Sequence, residues 1–269
     1  METEEIIAIA RKHNLLVLED AAQAYAGNRY QGNPETDIIL FSFGLIKTNT
    51  AVRGAIVKIK DPNLYADVVY KNDRYDRQEN GQFLKKLMKV VLIKLLTTRT
   101  IYTGFYKLIN AMGKDFEKVL AGFTKGFAGA DLLKQIRYRP CAANKKLLVK
   151  KMLSFKQDEI DCRVQMAKDI LQDIPDSYKI GSRNKRHTHW VLPVETQDPN
   201  GLIRYLQING FDASQKASSL IKLTTADHVP AKDDLQTKNL VYLPAYTAMS
   251  AKDRNRLTQL LISFQSKTL

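Results

Sequence analysis

The sequence has few of the residues that cross-link a chain or mark it for export. Only two of its 269 residues are cysteines, Cys141 and Cys162, and no CxxC pair is present. Two cysteines are too few for a disulfide framework, which indicates a reducing compartment. Met1 is followed by an acidic stretch rather than by a basic and apolar leader, so no secretory signal is expected. Together these features predict a cytoplasmic protein.

Negative charge is scarce in one part of the chain. Residues 83–156 carry 17 basic and 3 acidic side chains, whereas the remainder carries 25 of each, so this segment accounts for the whole net charge of +14. Such a segment can form a solvated helix face or bind a phosphate group or an anionic membrane. None of the usual nucleic-acid-binding motifs accompanies the charge, so no nucleic-acid partner is predicted. The content of 44% hydrophobic and 26% charged residues is typical of a globular protein with a core.

Apolar periodicity predicts the start of an α/β sheet. Residues 4–13 have helical spacing, and Asn14 is a suitable terminator. Continuous apolar runs at 15–18, 37–43 and 54–59 predict three strands of a partial, mostly parallel sheet. Three strands are fewer than a doubly wound domain needs. We therefore expect that further strands precede this sequence.

The basic segment also contains a long amphipathic stretch. Apolar residues recur every three or four positions between 82 and 112, but lysines interrupt them too often for a membrane-spanning helix. Packing within the protein or on a partner subunit is one interpretation, and peripheral membrane contact through residues 84–110 is another. We interpret residues about 70–127 as a basic helical insertion, with a loop at 122–129.

The last part of the chain predicts a smaller α+β domain. Its predicted elements are helix 144–174, strand 189–196, helix 199–209 ended by Gly210, strand 240–243 and helix 250–264. The predicted domains are therefore 1–140, which includes the insertion, and 141–269. No metal site is predicted, because His187 and His189 lack a third ligand nearby.

Candidate functional side chains follow the first two predicted strands. Asp20 and Gln23 come after the first strand, and Ser42 and Lys47 come after the second. The carboxyl ends of parallel strands are where open α/β sheets bind ligands. A carboxylate, an amide, a hydroxyl and a lysine suit one cofactor, pyridoxal phosphate. Its pyridine nitrogen needs an anion, its aldehyde a lysine and its phosphate nearby donors.

Each of these residues also has an ordinary structural explanation. A lysine after an apolar strand is commonly a surface residue with a buried stem. Asp20 can cap a short helix, and Ser42 can be a small residue in a turn. The cofactor hypothesis depends on their occurring together at one edge of the sheet.

The segment from Leu15 to Asp61 resembles the DegT/StrS-like aminotransferases of nucleotide-sugar metabolism. In that family an acid-Asp-x-Ala-Gln/His motif precedes a Ser-Phe-x-x-x-Lys motif, as in EDAAQ and SFGLIK here. The resemblance implies an aspartate-aminotransferase-like fold, a homodimer and bound pyridoxal 5′-phosphate. It also implies that Lys47 is the Schiff-base lysine and that Asp20 faces the pyridine nitrogen. By the same resemblance Gln23 meets the ring hydroxyl and Ser42 the phosphate.

The resemblance also implies the reaction, with Lys47 and Asp20 as catalytic residues. The expected activity is transfer of an amino group from glutamate to a nucleotide-linked keto-sugar in polysaccharide biosynthesis. One residue and one short run depart from the family pattern: Gly44 stands where a histidine is usual, and residues 50–55 replace a glycine-rich run. The alternative is a truncated, inactive or partner-dependent remnant of the fold, with a structural, regulatory or membrane-surface role.

Overall fold

The chain divides into two compact units, within residues 2–155 and 156–269. The computed structural model describes residues 3–96, 98, 101–102, 104, 108–109, 111–113, 136–182, 184, 187–215 and 237–266. The loop predicted at 122–129 and most of the insertion beyond residue 96 lie outside the described residues. Among the described helices, none combines the length and apolarity needed to cross a bilayer.

The described part of the first unit is an α/β arrangement built on a three-stranded sheet. Its helices and strands are α1 (Glu4–Lys12), β1 (Leu18–Asp20), β2 (Ile38–Ser42), β3 (Ala55–Ile59), α2 (Pro62–Asp73), α3 (Asn80–Leu96) and α4 (Ala142–Leu153). The strand order is β1-β2-β3. The core of this sheet consists of Ala21, Ile39, Phe41, Phe43 and Ala51.

Local sequence signals explain several of the boundaries in this unit. Acidic residues occupy the first turn of α1 and basic residues its last turn, as the helix dipole favours. Asn14 then adopts a φ of 53°, the left-handed conformation common after a helix end. Asp61 caps α2, because its carboxylate accepts a hydrogen bond from the Leu64 amide at 2.6 Å.

The structure corrects two details of the predicted sheet. β1 pairs with β2 in parallel, but β2 pairs with β3 in the antiparallel direction, with Ser42 opposite Ala55. The described sheet is therefore mixed rather than mostly parallel. β1 also begins only at Leu18, and Leu15, Leu16 and Leu18 are exposed rather than buried. Strand side chains point to the faces of a sheet, and the described residues do not cover these three leucines at β1, the edge strand of the described sheet.

The predicted helix 144–174 is two helices, and the division between the units falls between them. Residues 154–157 separate α4 from α5 (Asp158–Leu171). α4 belongs to the first unit because Leu147 and Leu148 pack on the core of the sheet. The boundary that the structure gives, after Phe155, thus lies beyond the predicted one at 140/141.

The described part of the second unit is a small α+β domain. Its elements are α5, β4 (Leu192–Glu195), α6 (Pro199–Ile208), β5 (Leu240–Leu243) and α7 (Ala251–Gln265). β4 and β5 form an antiparallel pair, and the helices bury Ile170, Leu206 and Leu257 against it. β4 is shorter than the predicted strand 189–196, whereas β5 has the predicted bounds. Gly210 after α6 has a φ of 82°, as expected of a helix stop.

Candidate active site

The ends of β1 and β2 place the candidate residues at one edge of the sheet. Asp20 is the last residue of β1 and lies opposite Leu40 in the parallel register. The chain leaves β1 at once, since the Ala21 amide donates to the Leu40 carbonyl at 2.9 Å. Ser42 ends β2 two residues beyond Leu40. Because the two strands are parallel, Asp20 and Ser42 lie at the same edge, as predicted.

Lys47 lies in a loop that is closed at its base by backbone hydrogen bonds. The Ala51 amide donates to the Phe43 carbonyl, and the Phe43 amide donates to the Gly54 carbonyl, both at 2.9 Å. Phe43 and Ala51 are fully buried, which anchors the base in the core. Inside the loop the Lys47 amide donates to the Gly44 carbonyl at 3.2 Å. The loop is therefore a defined turn that holds Lys47 next to the end of β2.

Gly44 brings Ser42 and Lys47 together. A Cβ built on Gly44 would lie 3.7 Å from Ser42 Oγ and 3.9 Å from Lys47 Cγ. The Gly44 amide also donates to Ser42 Oγ at 3.5 Å. The serine hydroxyl and the lysine stem thus flank one residue that has no side chain.

Asp20 and Lys47 are available for a ligand. The Asp20 side chain is exposed, and its Oδ1 accepts a hydrogen bond from the Ala22 amide at 3.0 Å. Within the described part of the chain, Lys47 Nζ has no hydrogen bond or ion pair, and the two residues do not pair with each other. The amine and the carboxylate are therefore not neutralised by a mutual salt bridge.

The neighbouring acid, Glu19, binds residues of its own chain rather than facing the edge of the sheet. Successive strand residues point to opposite faces, and Glu19 Oε2 accepts a hydrogen bond from the Asn33 amide at 2.8 Å. Its Oε1 accepts a hydrogen bond from the Tyr30 hydroxyl. Burial raises the pKa of Tyr30, and the hydrogen bond with Glu19 raises it further. Glu19 therefore holds the 30–33 connection, and Asp20 is left free at the edge.

Two buried polar atoms in the segments that follow β1 and β2 lack a partner. Gln23 Oε1 and Thr48 Oγ1 are buried, and neither has a hydrogen-bond partner in the described residues. Buried polar atoms are nearly always satisfied, so each orphan requires an explanation. A bound polar ligand at the edge supplies one.

The segment after Asp20 is fixed by aromatic contacts. The Tyr25 ring meets the Phe43 ring edge-on, with the centroids 4.9 Å apart, and the Phe41 ring at 5.8 Å. Burial raises the pKa of Tyr25, and a hydrogen bond with Asn49 opposes that rise. Tyr25 thus ties the Asp20 segment to both β2 and the Lys47 loop.

Sequence reasoning missed the residue that supports the loop from outside. Asn144, in α4, is 2% exposed, and its Nδ2 donates to the carbonyls of Ala51 at 3.2 Å and Arg53 at 3.1 Å. Between them Val52 has a φ of 73°, and Gly54 follows with a φ of 106°. A positive φ is costly for a β-branched residue. No local sequence signal points to Asn144, because its partners lie more than 90 positions away.

The comparisons with known proteins agree with the sequence resemblance. Residues 1–91 match the DegT/DnrJ/EryC1/StrS aminotransferase family. This segment contains the whole candidate site. No curated protein sequence matches the chain significantly.

Solved structures extend the likeness to almost the full chain at the level of the fold. An aminotransferase of the same family from Brucella abortus matches 98% of this chain with a TM-score of 0.60 and 16% identity, over 61% of its own length. A sugar aminotransferase from Micromonospora echinospora matches 98% with a TM-score of 0.57 and 16% identity, over 64% of its length.

An aminotransferase of pseudoaminic acid biosynthesis from Helicobacter pylori is similar as well. It matches 98% of this chain with a TM-score of 0.56 and 13% identity, over 63% of its own length. The chain therefore spans less than two thirds of the length of these relatives. Over the part that it spans, the chain has the fold of these aminotransferases, as the resemblance implies. Among the described residues, no three His, Cys, Asp or Glu side chains are grouped as metal ligands.

Proposed function

We propose that this chain is a pyridoxal-phosphate-dependent aminotransferase that moves an amino group from glutamate to a nucleotide-linked keto-sugar. One observation carries the proposal. The paired ends of β1 and β2 present Asp20, Ser42 and Lys47 at one sheet edge, inside the segment that matches the aminotransferase family.

The residues present fit the cofactor. Asp20 has a free carboxylate oxygen for the protonated pyridine nitrogen, and Lys47 Nζ is unpaired within the described residues. The orphaned Oε1 of Gln23 suits a ring hydroxyl, and the orphaned Thr48 hydroxyl suits a phosphate oxygen, beside the predicted phosphate ligand Ser42. Five polar side chains with complementary chemistry thus occur at, or within a few residues of, the ends of β1 and β2.

The chemistry of these groups gives each residue a role toward the cofactor. When bound, the cofactor supplies an electron sink for the negative charge that develops on the substrate carbon. Asp20 would hold a proton on the pyridine nitrogen through its carboxylate. Lys47 Nζ would hold the aldehyde of the cofactor, and its amine would serve as the base and acid that takes a proton from the substrate carbon in one half of the reaction and gives a proton to it in the other. Gln23 and Ser42 orient the ring and the phosphate.

The sugar substrate, polysaccharide biosynthesis, homodimer and cytoplasmic location belong to the same proposal. The sugar substrate is supported by the family match and by the relatives, one of which is a sugar aminotransferase and another of which acts in pseudoaminic acid biosynthesis. The homodimer and the location are proposed from the resemblance alone. Lys47, rather than a histidine, stands at the Schiff-base position, which favours amino transfer over the dehydration that some relatives perform.

A spectroscopic titration of the full chain tests the proposal. Adding pyridoxal phosphate is expected to produce the visible absorption of a lysine-bound cofactor, and adding L-glutamate is expected to remove it. Lys47→Ala should abolish both changes. Lys58→Ala is the matched control, because Lys58 is an exposed lysine on β3 and its loss should leave the spectrum unchanged.

Two results would contradict the proposal. A wild-type chain that develops no such absorption would favour the alternative, a remnant that keeps the fold without the chemistry. An absorption that persists in Lys47→Ala would show that another amine binds the cofactor.

A further inference from the structure

The α3 helix has a second apolar face that the described residues of its own unit leave exposed. One side of α3 packs inward: Phe83 is buried with Val52 and Cys141, and Leu87 and Val90 pack on that cluster. A different side is exposed and also apolar. Its residues are each between 42 and 59% exposed and follow the helical repeat i, i+4, i+7, i+8, i+11: Leu84, Met88, Val91, Leu92 and Leu95.

Lysines border this exposed stripe. Lys85 and Lys89 are exposed. With a rotation of 100° per residue, both lie beside the stripe, on the side that is farther from Phe83. α3 contains four lysines and no acidic residue. A helix with an apolar stripe and a cationic flank is typical of a segment that lies in the plane of an anionic membrane surface.

The neighbouring helix adds to the same character. α4 packs against α3 and also carries four lysines and no acid. Three of them, Lys145, Lys146 and Lys150, line a shallow depression together with Val149 and Leu153, of which Leu153 is 84% exposed. The two packed helices therefore contain eight lysines and no acidic residue of their own.

Charge decides which partner this surface fits. A second copy of the chain docked through the same helix would bring the lysines of both copies together, and α3 offers no carboxylate to pair with them. An anionic lipid surface neutralises the lysines and at the same time covers the leucine, methionine and valine side chains. We propose that the exposed stripe of α3 is a docking surface for anionic membranes, independent of the proposed chemistry at Lys47.

Vesicle flotation of the full chain tests this proposal. The probes are vesicles of phosphatidylcholine alone and of phosphatidylcholine with 30% phosphatidylglycerol, at low and high salt. The wild-type chain is expected to float only with the anionic vesicles and to lose binding as salt rises. A lysine near such a surface contributes about fivefold in binding, so the pair Lys85→Gln and Lys89→Gln should weaken it about 30-fold.

Apolar variants separate insertion from charge attraction. Met88→Ser with Leu92→Ser should weaken binding about tenfold or more, because both side chains are exposed in the free protein and buried in lipid. Two matched controls lie in the second unit: Ile208→Ser, an exposed apolar residue, and Lys252→Gln, an exposed lysine. Neither should change flotation.

Three outcomes would overturn the proposal. In the first, the wild-type chain does not float with the anionic vesicles, or it floats equally with neutral ones. In the second, the Lys85/Lys89 and Met88/Leu92 variants float like the wild type. Alternatively, analytical ultracentrifugation shows a dimer that the Met88/Leu92 variant loses while no vesicle binds, which would assign the stripe to a second copy of the chain.

Discussion

The side chain of Asn144 is expected to determine how firmly the Lys47 loop is held. Its Nδ2 donates two hydrogen bonds, to the carbonyls of Ala51 and Arg53, on either side of Val52 with its left-handed backbone. Asn144→Ala removes both donors in a site that is almost fully buried. An unsatisfied buried carbonyl costs roughly 1–3 kcal/mol, so we expect the loop to lose about 2–4 kcal/mol of local stability.

Hydrogen exchange measures this loss directly. The amides of Phe43 and Ala51 are bonded across the base of the loop, and they report its opening. A loss of about 2–4 kcal/mol corresponds to exchange about 30- to 900-fold faster at these amides. Asn144→Asp, which keeps the shape but lacks the donating NH2 group, should act in the same direction.

The control is an asparagine in the other unit. Asn209 Nδ2 donates to a carbonyl of its own helix, that of Tyr205, at 2.9 Å, and Asn209→Ala should leave the amides of residues 43–54 unchanged. If the exchange rates of these amides in Asn144→Ala also stayed within about twofold of the wild type, the two Asn144 hydrogen bonds would not stabilise the loop and the reasoning would be refuted.

Three further substitutions test separate parts of the first unit. Gly32 has a φ of 89°, and a Cβ there would overlap the buried Ile39 side chain, so Gly32→Ala should lower the free energy of unfolding by more than about 1 kcal/mol. Burial and two neighbouring cations lower the pKa of Lys86 to about 8. The unfolded chain therefore binds more protons between about pH 8 and 10.4, and stability should rise across that window in the wild type but not in Lys86→Met. The Arg11 guanidinium lowers the pKa of Asp37. The free energy of unfolding should therefore decrease as the pH falls below about 4, and Asp37→Asn should reduce that decrease.

Denaturant titrations at fixed pH values would check these three. A Gly32→Ala protein as stable as the wild type would mean that the 27–33 connection adapts. Equal pH slopes for wild type and Lys86→Met would show that the Lys86 ammonium is solvated in the folded protein. An unchanged acid transition in Asp37→Asn would assign that transition to other carboxylates.

The placement of the candidate residues could be predicted from sequence because they follow short apolar runs. A strand of continuous apolar residues fixes where the chain leaves the sheet, and parallel pairing then places Asp20 and Ser42 at one edge. The turn at Gly44 brings Lys47 to the same place within a few residues. All of these relations are local or depend on one strand pair.

The features that could not be predicted depend on distant contacts. The antiparallel direction of β3 is set by how the whole chain packs, since an apolar run reads the same for either direction. The break between α4 and α5 follows from α4 packing on the sheet of the first unit, whereas helical periodicity continues through it. The support from Asn144 likewise exists only after folding.

The most direct test is to identify the amine that carries the cofactor. Treating the full chain with pyridoxal phosphate, reducing with borohydride and mapping the labelled peptides by mass spectrometry traps the linkage at its lysine. Our account predicts a single major label on Lys47, reduced in Asp20→Ala because the ring is held less firmly. A label spread over the exposed lysines of α3 and α4, with Lys47 unmodified, would contradict it.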